Sequence, residues 1–224
     1  MSKPISILST KILLSSQKQA LLNAGFLVTE ANFITTKYLD FELPAPHLGA
    51  GGLIFTSQNA AQSVLLHPKW EELKSKNVFC VGMKTKALLE ENGFNVEVYL
   101  DYASDLAEII TLIYAKENFT FFSGNLRKDT IPNALKEMGI DFNEIQVYET
   151  TLTPQKMSSK FDGILFFSPS AIESYLAANK IKNEICFCIG ETTAEALETV
   201  TKNIIVADQP LIENVIEDVI EEFK

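Results

Sequence analysis

The chain has 224 residues, of which 46% are hydrophobic, and a formal net charge of −10. That length allows one large domain or two small ones with cores of their own, and so acidic a balance speaks against a general nucleic-acid or anionic-membrane partner. Arg127 is the single arginine, so no guanidinium cluster can form and an anion must be met by backbone amides, hydroxyls and lysines.

In chain order, residues 5–8 predict a first strand, with Ser9, Thr10 and Lys11 as its exit loop. Ser16 and Gln19 have capping-box spacing for a helix that Gly25 ends. Residues 26–28 form a second strand, and the polar, β-branched stretch 32–39, followed by Pro44 and Pro46, crosses into a second lobe. Strands at 53–56, 78–81, 96–98 and 120–122 alternate there with helices near 59–66, 85–92, 104–114 and 129–138. Gly93 and Gly139 repeat the helix-stop role of Gly25. Residues 144–151 alternate polar and apolar and make a second crossing beside the first, with Tyr148 sharing a face with Gln146 and Thr150. Strands at 163–167, 186–189 and 204–206 and an amphipathic helix at 211–223 complete the first lobe. The fold class is α/β: two similar lobes with parallel sheets flanked by helices, joined by a two-stranded linker, the first lobe discontinuous. Its lobes are 1–34 with 153–224, and 41–146; the crossings lie near 35–40 and 147–152.

An internal repeat supports the two lobes. Phe79, Cys80, Gly82, Thr85 and Leu89 align without a gap on Phe187, Cys188, Gly190, Thr193 and Leu197, and the stretch from Phe55 to Ser63 aligns on that from Phe166 to Ser174. Capping-box spacings at Asn59 and Gln62, Ser170 and Glu173, and Thr192 and Glu195 start the helices. Ser57 and Ser168 are then spare hydroxyls at the carboxyl ends of strands, where open parallel sheets bind ligands.

Cys80, Cys186 and Cys188 fall in apolar strands and read as small core residues, which suits a cytoplasmic protein. The N-terminal stretch, broken by Ser9, Thr10, Lys11, Ser15 and Ser16, is no signal peptide, and no run is long enough to span a membrane. No nucleophile–base–acid set is visible. His47 and His67 have no second metal ligand at helical spacing. Gly49, Ala50, Gly51 and Gly52 precede a strand, whereas a phosphate-cradling loop follows one. The turn Ser123-Gly124-Asn125-Leu126-Arg127 does follow a strand; it either cradles an anion or is an ordinary turn. Ser57, Thr85, Ser168 and Thr193, two from each lobe, would line a facing cleft suited to a large ligand with several carboxylates.

An ordered set of segments resembles the uroporphyrinogen-III synthase family: Gly52-Leu53-Ile54-Phe55-Thr56-Ser57, Val81-Gly82 with Thr85, Ser123-Gly124-Asn125-Leu126-Arg127, Val147-Tyr148-Glu149-Thr150, Phe166-Phe167-Ser168-Pro169-Ser170, and Ile189-Gly190-Glu191-Thr192-Thr193-Ala194 with Ala196-Leu197. They cover nearly the whole chain in the family's order. The resemblance implies two α/β lobes on a two-stranded ladder. It implies an enzyme that closes hydroxymethylbilane to uroporphyrinogen III with inversion of the last ring and loss of water, using neither metal nor organic cofactor. It makes Tyr148 the candidate acid. The candidate substrate contacts are Lys11, Ser57, Asn59, Gly82, Thr85, Ser123, Gly124, Asn125, Ser168, Ser170, Thr192 and Thr193. Two departures stand out: Lys11 follows Thr10 where many bacterial members have arginine, and Ser123-Gly124-Asn125 is less glycine-rich. The expected protein is a cytoplasmic monomer acting on a small molecule. The competing readings are a two-lobe binding protein that closes on a small polar or anionic ligand without chemistry, and an enzyme of the same fold acting on another anionic substrate.

Overall fold

A computed structural model describes residues 4–43 and 51–224. Pro44, Pro46, His47, Gly49 and Ala50 lie outside the described residues. The chain begins with β1 (Ser6–Ser9), α1 (Ser15–Asn23) and β2 (Leu27–Glu30), then β3 (Ile34–Tyr38). It continues with β4 (Gly52–Phe55), α2 (Gln58–Leu65), β5 (Asn77–Val81), α3 (Met83–Glu91), β6 (Asn95–Leu100), α4 (Ala103–Ile113), β7 (Phe119–Gly124), α5 (Thr130–Glu137) and β8 (Phe142–Leu152). It ends with β9 (Gly163–Phe166), α6 (Pro169–Ala178), β10 (Ile185–Cys188), α7 (Glu191–Glu195), β11 (Ile204–Val206) and α8 (Ile212–Phe223). The chain divides into two compact units, Met1–Thr35 with Thr151–Lys224, and Thr36–Thr150, so β3 and β8 are the two passages from one to the other.

The first unit holds a five-stranded sheet of order β11-β10-β9-β1-β2, in which every pairing is parallel. The second sheet has the order β3-β8-β7-β4-β5-β6, and β8, β7, β4, β5 and β6 are parallel to one another. Three consecutive strands (β4, β5, β6 or β9, β10, β11) step outward from the middle of each sheet. Two more (β7, β8 or β1, β2) step outward the other way. The two units therefore share one sheet pattern with the chain cut at different places, which is why the repeat aligns β4–α2–β5–α3 with β9–α6–β10–α7. Each sheet reverses direction once, between β4 and β7 and between β9 and β1. Such a reversal opens a crevice at the carboxyl ends of the strands.

Helices cover both faces of each sheet, so the central strands β4, β7 and β9 are buried throughout, and β4 and β9 read as unbroken apolar runs. Alternation sorts them: Leu53, Phe55, Cys80 and Phe122 pack with α2 and α3, while Ile54, Phe79 and Phe121 pack with α4 and α5. In the first unit Ile164, Phe166, Cys186 and Cys188 face α6 and α7, and Ile7, Leu165 and Phe187 face the other way, toward residues of α1 and α8. The three cysteines are free and buried, and burial pushes each thiol up to about 12. Gly25, Gly93 and Gly139 end their helices at φ of 90°, 83° and 65°, a region only glycine enters without strain.

The first helix starts earlier than its serines suggest. Gln17, not Gln19, closes the end by accepting from the backbone N–H of Leu14 at 3.0 Å. The reason lies in the core: Leu13, Gln17 and Leu21 are buried at helical spacing, and Leu13 N–H is held by Glu30 at 2.8 Å. Among the described residues no helix is long and apolar enough to cross a membrane.

Candidate functional site

In the second unit the reversal between β4 and β7 brings together Ser57, Gly124 and Tyr148. Ser57 follows β4 and is the N-cap of α2: its Oγ accepts from Ala60 N–H at 3.2 Å. This corrects the expected cap at Asn59, which sits half-buried as the second residue of the helix. The same Oγ donates to the phenolic oxygen of Tyr148 at 3.1 Å, so the phenol's own proton is left for another acceptor. Ser63, on the same helix, donates to the carbonyl of Val147 at 2.6 Å, and that carbonyl also accepts from Leu39 N–H at 3.0 Å.

Those two bonds hold an irregularity. Ser123 pairs with Gln146 but Gly124 pairs with Tyr148, so Val147 is an extra residue in β8. The bulge breaks the expected alternation: Val147 and Tyr148, adjacent in sequence, pack against the same core cluster. Opposite the ring, a Cβ on Gly124 would lie 2.5 Å from Tyr148 Cε2 and 2.7 Å from Oη. Glycine at 124 is what lets the phenol lie flat against β7.

The rest of the turn after β7 is spent internally. Ser123, 3% exposed, donates to Glu144 Oε1 at 2.8 Å. Arg127 grips both oxygens of Glu144, at 2.6 and 2.9 Å, and also pairs with Asp129. Its hydrogen bonds, chiefly from Arg127 and then from Ser123, hold the Glu144 carboxyl below the ordinary glutamate value against the opposing effect of burial. The Asn125 amide spans Thr150, accepting from its N–H at 2.7 Å and donating to its carbonyl at 3.0 Å. Ser123, Asn125 and Arg127 thus fasten the turn to β8, and α5 begins only at Thr130, with Asp129 at its N-cap.

At the end of β5, Gly82 turns at φ 88° and is the N-cap of α3. Thr85 is 3% exposed and caps nothing. A cavity of about 450 Å³ lies along α2 and α3, lined by Asn59 and the acidic Glu91 together with Tyr38, Gln58, Gln62 and Lys84. The last four were missed from sequence. Lys84 had a signal, since it stands between Gly82 and Thr85 at a helix start; the two glutamines had only their place on α2.

In the first unit, Thr10 donates to the Leu165 carbonyl at 2.7 Å and Ser9 to that of Lys11 at 2.6 Å, so both hydroxyls shape the loop rather than face outward. The Lys11 ammonium lies 5.8 Å from the Phe167 ring centroid, at the reversal between β1 and β9. Ser168 is the N-cap of α6, accepting from Ala171 N–H at 3.2 Å, and its Oγ shares a hydrogen bond with Ser170 Oγ at 3.0 Å. The expected cap at Ser170 is corrected in the same way as that at Asn59. After β10 the N-cap of α7 is Gly190, not Thr192, which is exposed; Thr193 is 4% exposed. Ring packing against Phe41 occupies His67, and among the described residues no cluster of His, Cys, Asp and Glu could hold a metal ion.

Comparison with known proteins points to one family. A family model described as uroporphyrinogen-III synthase HemD matches residues 15–217. A uroporphyrinogen-III synthase of Chlorobaculum parvum is 28% identical over 169 residues, covering 66% of this chain and 69% of that protein. A porphyrin biosynthesis protein HemD of Ruminiclostridium josui is 24% identical over 191 residues, covering 76% of this chain but 38% of that longer protein. The crystal structure of a uroporphyrinogen-III synthetase from Helicobacter pylori superposes with a TM-score of 0.71 at 22% identity, covering 97% of this chain and 99% of that one. A mutant uroporphyrinogen III synthase of Thermus thermophilus gives a TM-score of 0.69 at 14% identity, covering 98% and 100%.

Proposed function

The chain belongs to the uroporphyrinogen-III synthase family, and from that premise we propose how its residues divide the work. The reaction is the cyclisation of hydroxymethylbilane in tetrapyrrole biosynthesis, a loss of water with inversion of the last pyrrole ring. It changes no oxidation level. Expulsion of the terminal hydroxyl leaves an azafulvene. The last ring attacks through its substituted carbon, and a spiro intermediate fragments and recloses with that ring reversed. The protein's tasks are to protonate the leaving oxygen and to hold the chain so that the substituted carbon reaches the electrophile.

Tyr148 is the proposed proton donor. The observation that carries this is its half-buried phenol at the end of the sheet, fixed through its oxygen by Ser57 while its proton stays available. The proposed carboxylate contacts fall into two kinds. Ser57, Ser168 and Ser170 sit at helix N-termini, where backbone N–H groups favour an anion. Thr85, Thr193, Lys11 and Lys84 add hydroxyls and charge. Ser123 and Asn125 support these contacts indirectly, by anchoring β7 to β8. Free, buried thiols suit a cytoplasmic address.

The test is the isomer formed. Hydroxymethylbilane closes unaided to the type I isomer, without inversion. Supplied to the folded protein with no added metal or cofactor, it should give mostly type III by chromatography. Type I alone would overturn the reading.

A further inference from the structure

The first unit carries a second cavity, of about 800 Å³, at the amino end of its sheet. Its walls come from the segment before β9, the connection from α6 to β10, and the last residue of α8. Lys156, Lys160, Lys180 and Lys182 line it, with Asp162 and Glu184 as the acidic residues. Four lysines lining one cavity are notable in a chain of net charge −10.

Both carboxylates accept from backbone N–H groups, Glu184 from residues of the cavity wall itself. Asp162 Oδ2 accepts from Ser6 N–H at 2.8 Å, and Glu184 Oε2 accepts from the N–H groups of Lys182 and Asn183 at 2.6 and 3.0 Å. Lys156 is held in the wall by the Ala178 carbonyl at 2.9 Å. Among the described residues, none of Lys160, Lys180 and Lys182 forms an ion pair. Phe161, Leu176 and Phe223 give the cavity an apolar side. Its volume is in the range of small-molecule sites, roughly 300–1,000 Å³.

We propose that this cavity binds a small organic polyanion, with two or more negative charges from carboxylates or a phosphate on an apolar body. The charges meet Lys160, Lys180 and Lys182, and the body lies against Phe161 and Phe223. The site is separate from Ser168 and Ser170. Asp162 lines this cavity and β9 runs on from Gly163 to Phe166, two residues before Ser168, so four rises of roughly 13 Å in all separate Asp162 from Phe166.

Lysine acetylation read by mass spectrometry tests the proposal residue by residue. The probes are benzene-1,2,4,5-tetracarboxylate for the carboxylate arm and phenyl phosphate for the phosphate arm. At saturation, one or both should slow modification of Lys160, Lys180 and Lys182 by about tenfold, as expected for charge-assisted contacts, and leave Lys69 and Lys116 unchanged. Which probe protects tells the two chemistries apart. The triple variant Lys160→Gln, Lys180→Gln, Lys182→Gln should bind the protecting probe at least about tenfold more weakly in calorimetry. Its turnover of hydroxymethylbilane should stay at the wild-type level, which also reports that it is folded. Protection spread evenly over all lysines, no protection by either probe, or undiminished affinity in the active triple variant would overturn the proposal.

Discussion

Ser57 Oγ lies 3.1 Å from the phenolic oxygen of Tyr148 and donates to it, while accepting from the Ala60 N–H. One hydroxyl therefore fixes both a helix start and the phenol. Tyr148→Phe keeps the ring and its packing but removes the proton donor. Ser57 is half-buried, so its freed proton can turn to water and stability should change by less than about 1 kcal/mol. The expected kcat falls roughly 100-fold, the low end for a general acid. The product should remain type III, because positioning and not the proton selects the isomer. Normal turnover in a stable variant would remove Tyr148 from the chemistry.

Gly124→Ala tests the same phenol from the other side. The added methyl has to displace the Tyr148 ring or push β7 from β8. Overpacking of this kind costs about 1–3 kcal/mol. Activity should fall to near that of Tyr148→Phe. Adding Tyr148→Ala to Gly124→Ala should recover part of the overpacking cost, since the clashing ring is gone. If Gly124→Ala melts and turns over like the wild type, the ring is not confined as described.

The strands, the helix-stopping glycines and the doubling of the β–Ser–α unit were legible because each leaves a local mark: an apolar run, a glycine after a helix, an aligned repeat. Helix starts were less so. Ser57 and Asn59, like Ser168 and Ser170, each offer two capping side chains within three residues. Local rules choose the one with Gln or Glu three places on. The fold chose the other, and in the second unit Ser57 is also tied to Tyr148. The bulge at Val147 left only a faint mark: the polar–apolar alternation that runs from Glu144 breaks at the adjacent pair Val147-Tyr148. It arises from the close approach of Tyr148 to Gly124, which exists only once β7 and β8 are neighbours. Likewise, nothing local says that Asn125 will be spent on Thr150. Strand order, on which every one of these contacts depends, is not written in any single segment.

Glu144 should make stability depend on acid. Its pKa is lowered in the folded state, first by Arg127, so the stabilisation is complete above the unfolded-state value and is lost as pH falls through the folded one. Glu144→Gln should therefore lower the melting temperature at pH 7. The gap to the wild type should close below about pH 4, where the unfolded carboxyl is protonated and the native one follows. Both side chains are about a quarter exposed (27% and 25%), so the effect should be modest and weaken little with salt. A gap that stays constant from pH 7 to pH 3 would mean that packing, not charge, is what the substitution removes.

Thr85 and Thr193 separate binding from capping. Their helices are capped by Gly82 and Gly190, so neither hydroxyl serves a helix start. Thr85→Val and Thr193→Val keep volume and should leave melting temperature nearly unchanged. If each hydroxyl meets a substrate carboxylate, kcat/KM should drop by about tenfold per variant, one charge-assisted hydrogen bond's worth. Wild-type kinetics in both would assign the two residues to packing alone.

Lys84 tests the contact that sequence reasoning missed. It is exposed, lies one residue before Thr85, and shares a cavity with Asn59, Gln58 and Gln62. Among the described residues it makes no ion pair. The amide side chains can turn donors toward an anion, and Lys84 adds a positive charge at a cavity that Glu91 also lines. A group that holds a carboxylate equally in the ground and transition states changes KM and leaves kcat alone. Lys84→Gln should raise KM for hydroxymethylbilane by about tenfold at low salt, with kcat within twofold and unchanged melting. The difference should shrink as salt rises, since an exposed charge is screened over about 8 Å at physiological ionic strength. Lys84→Arg should restore KM. A fall in kcat at constant KM would instead put Lys84 in the chemical step, and no kinetic change would leave this cavity outside the substrate's path.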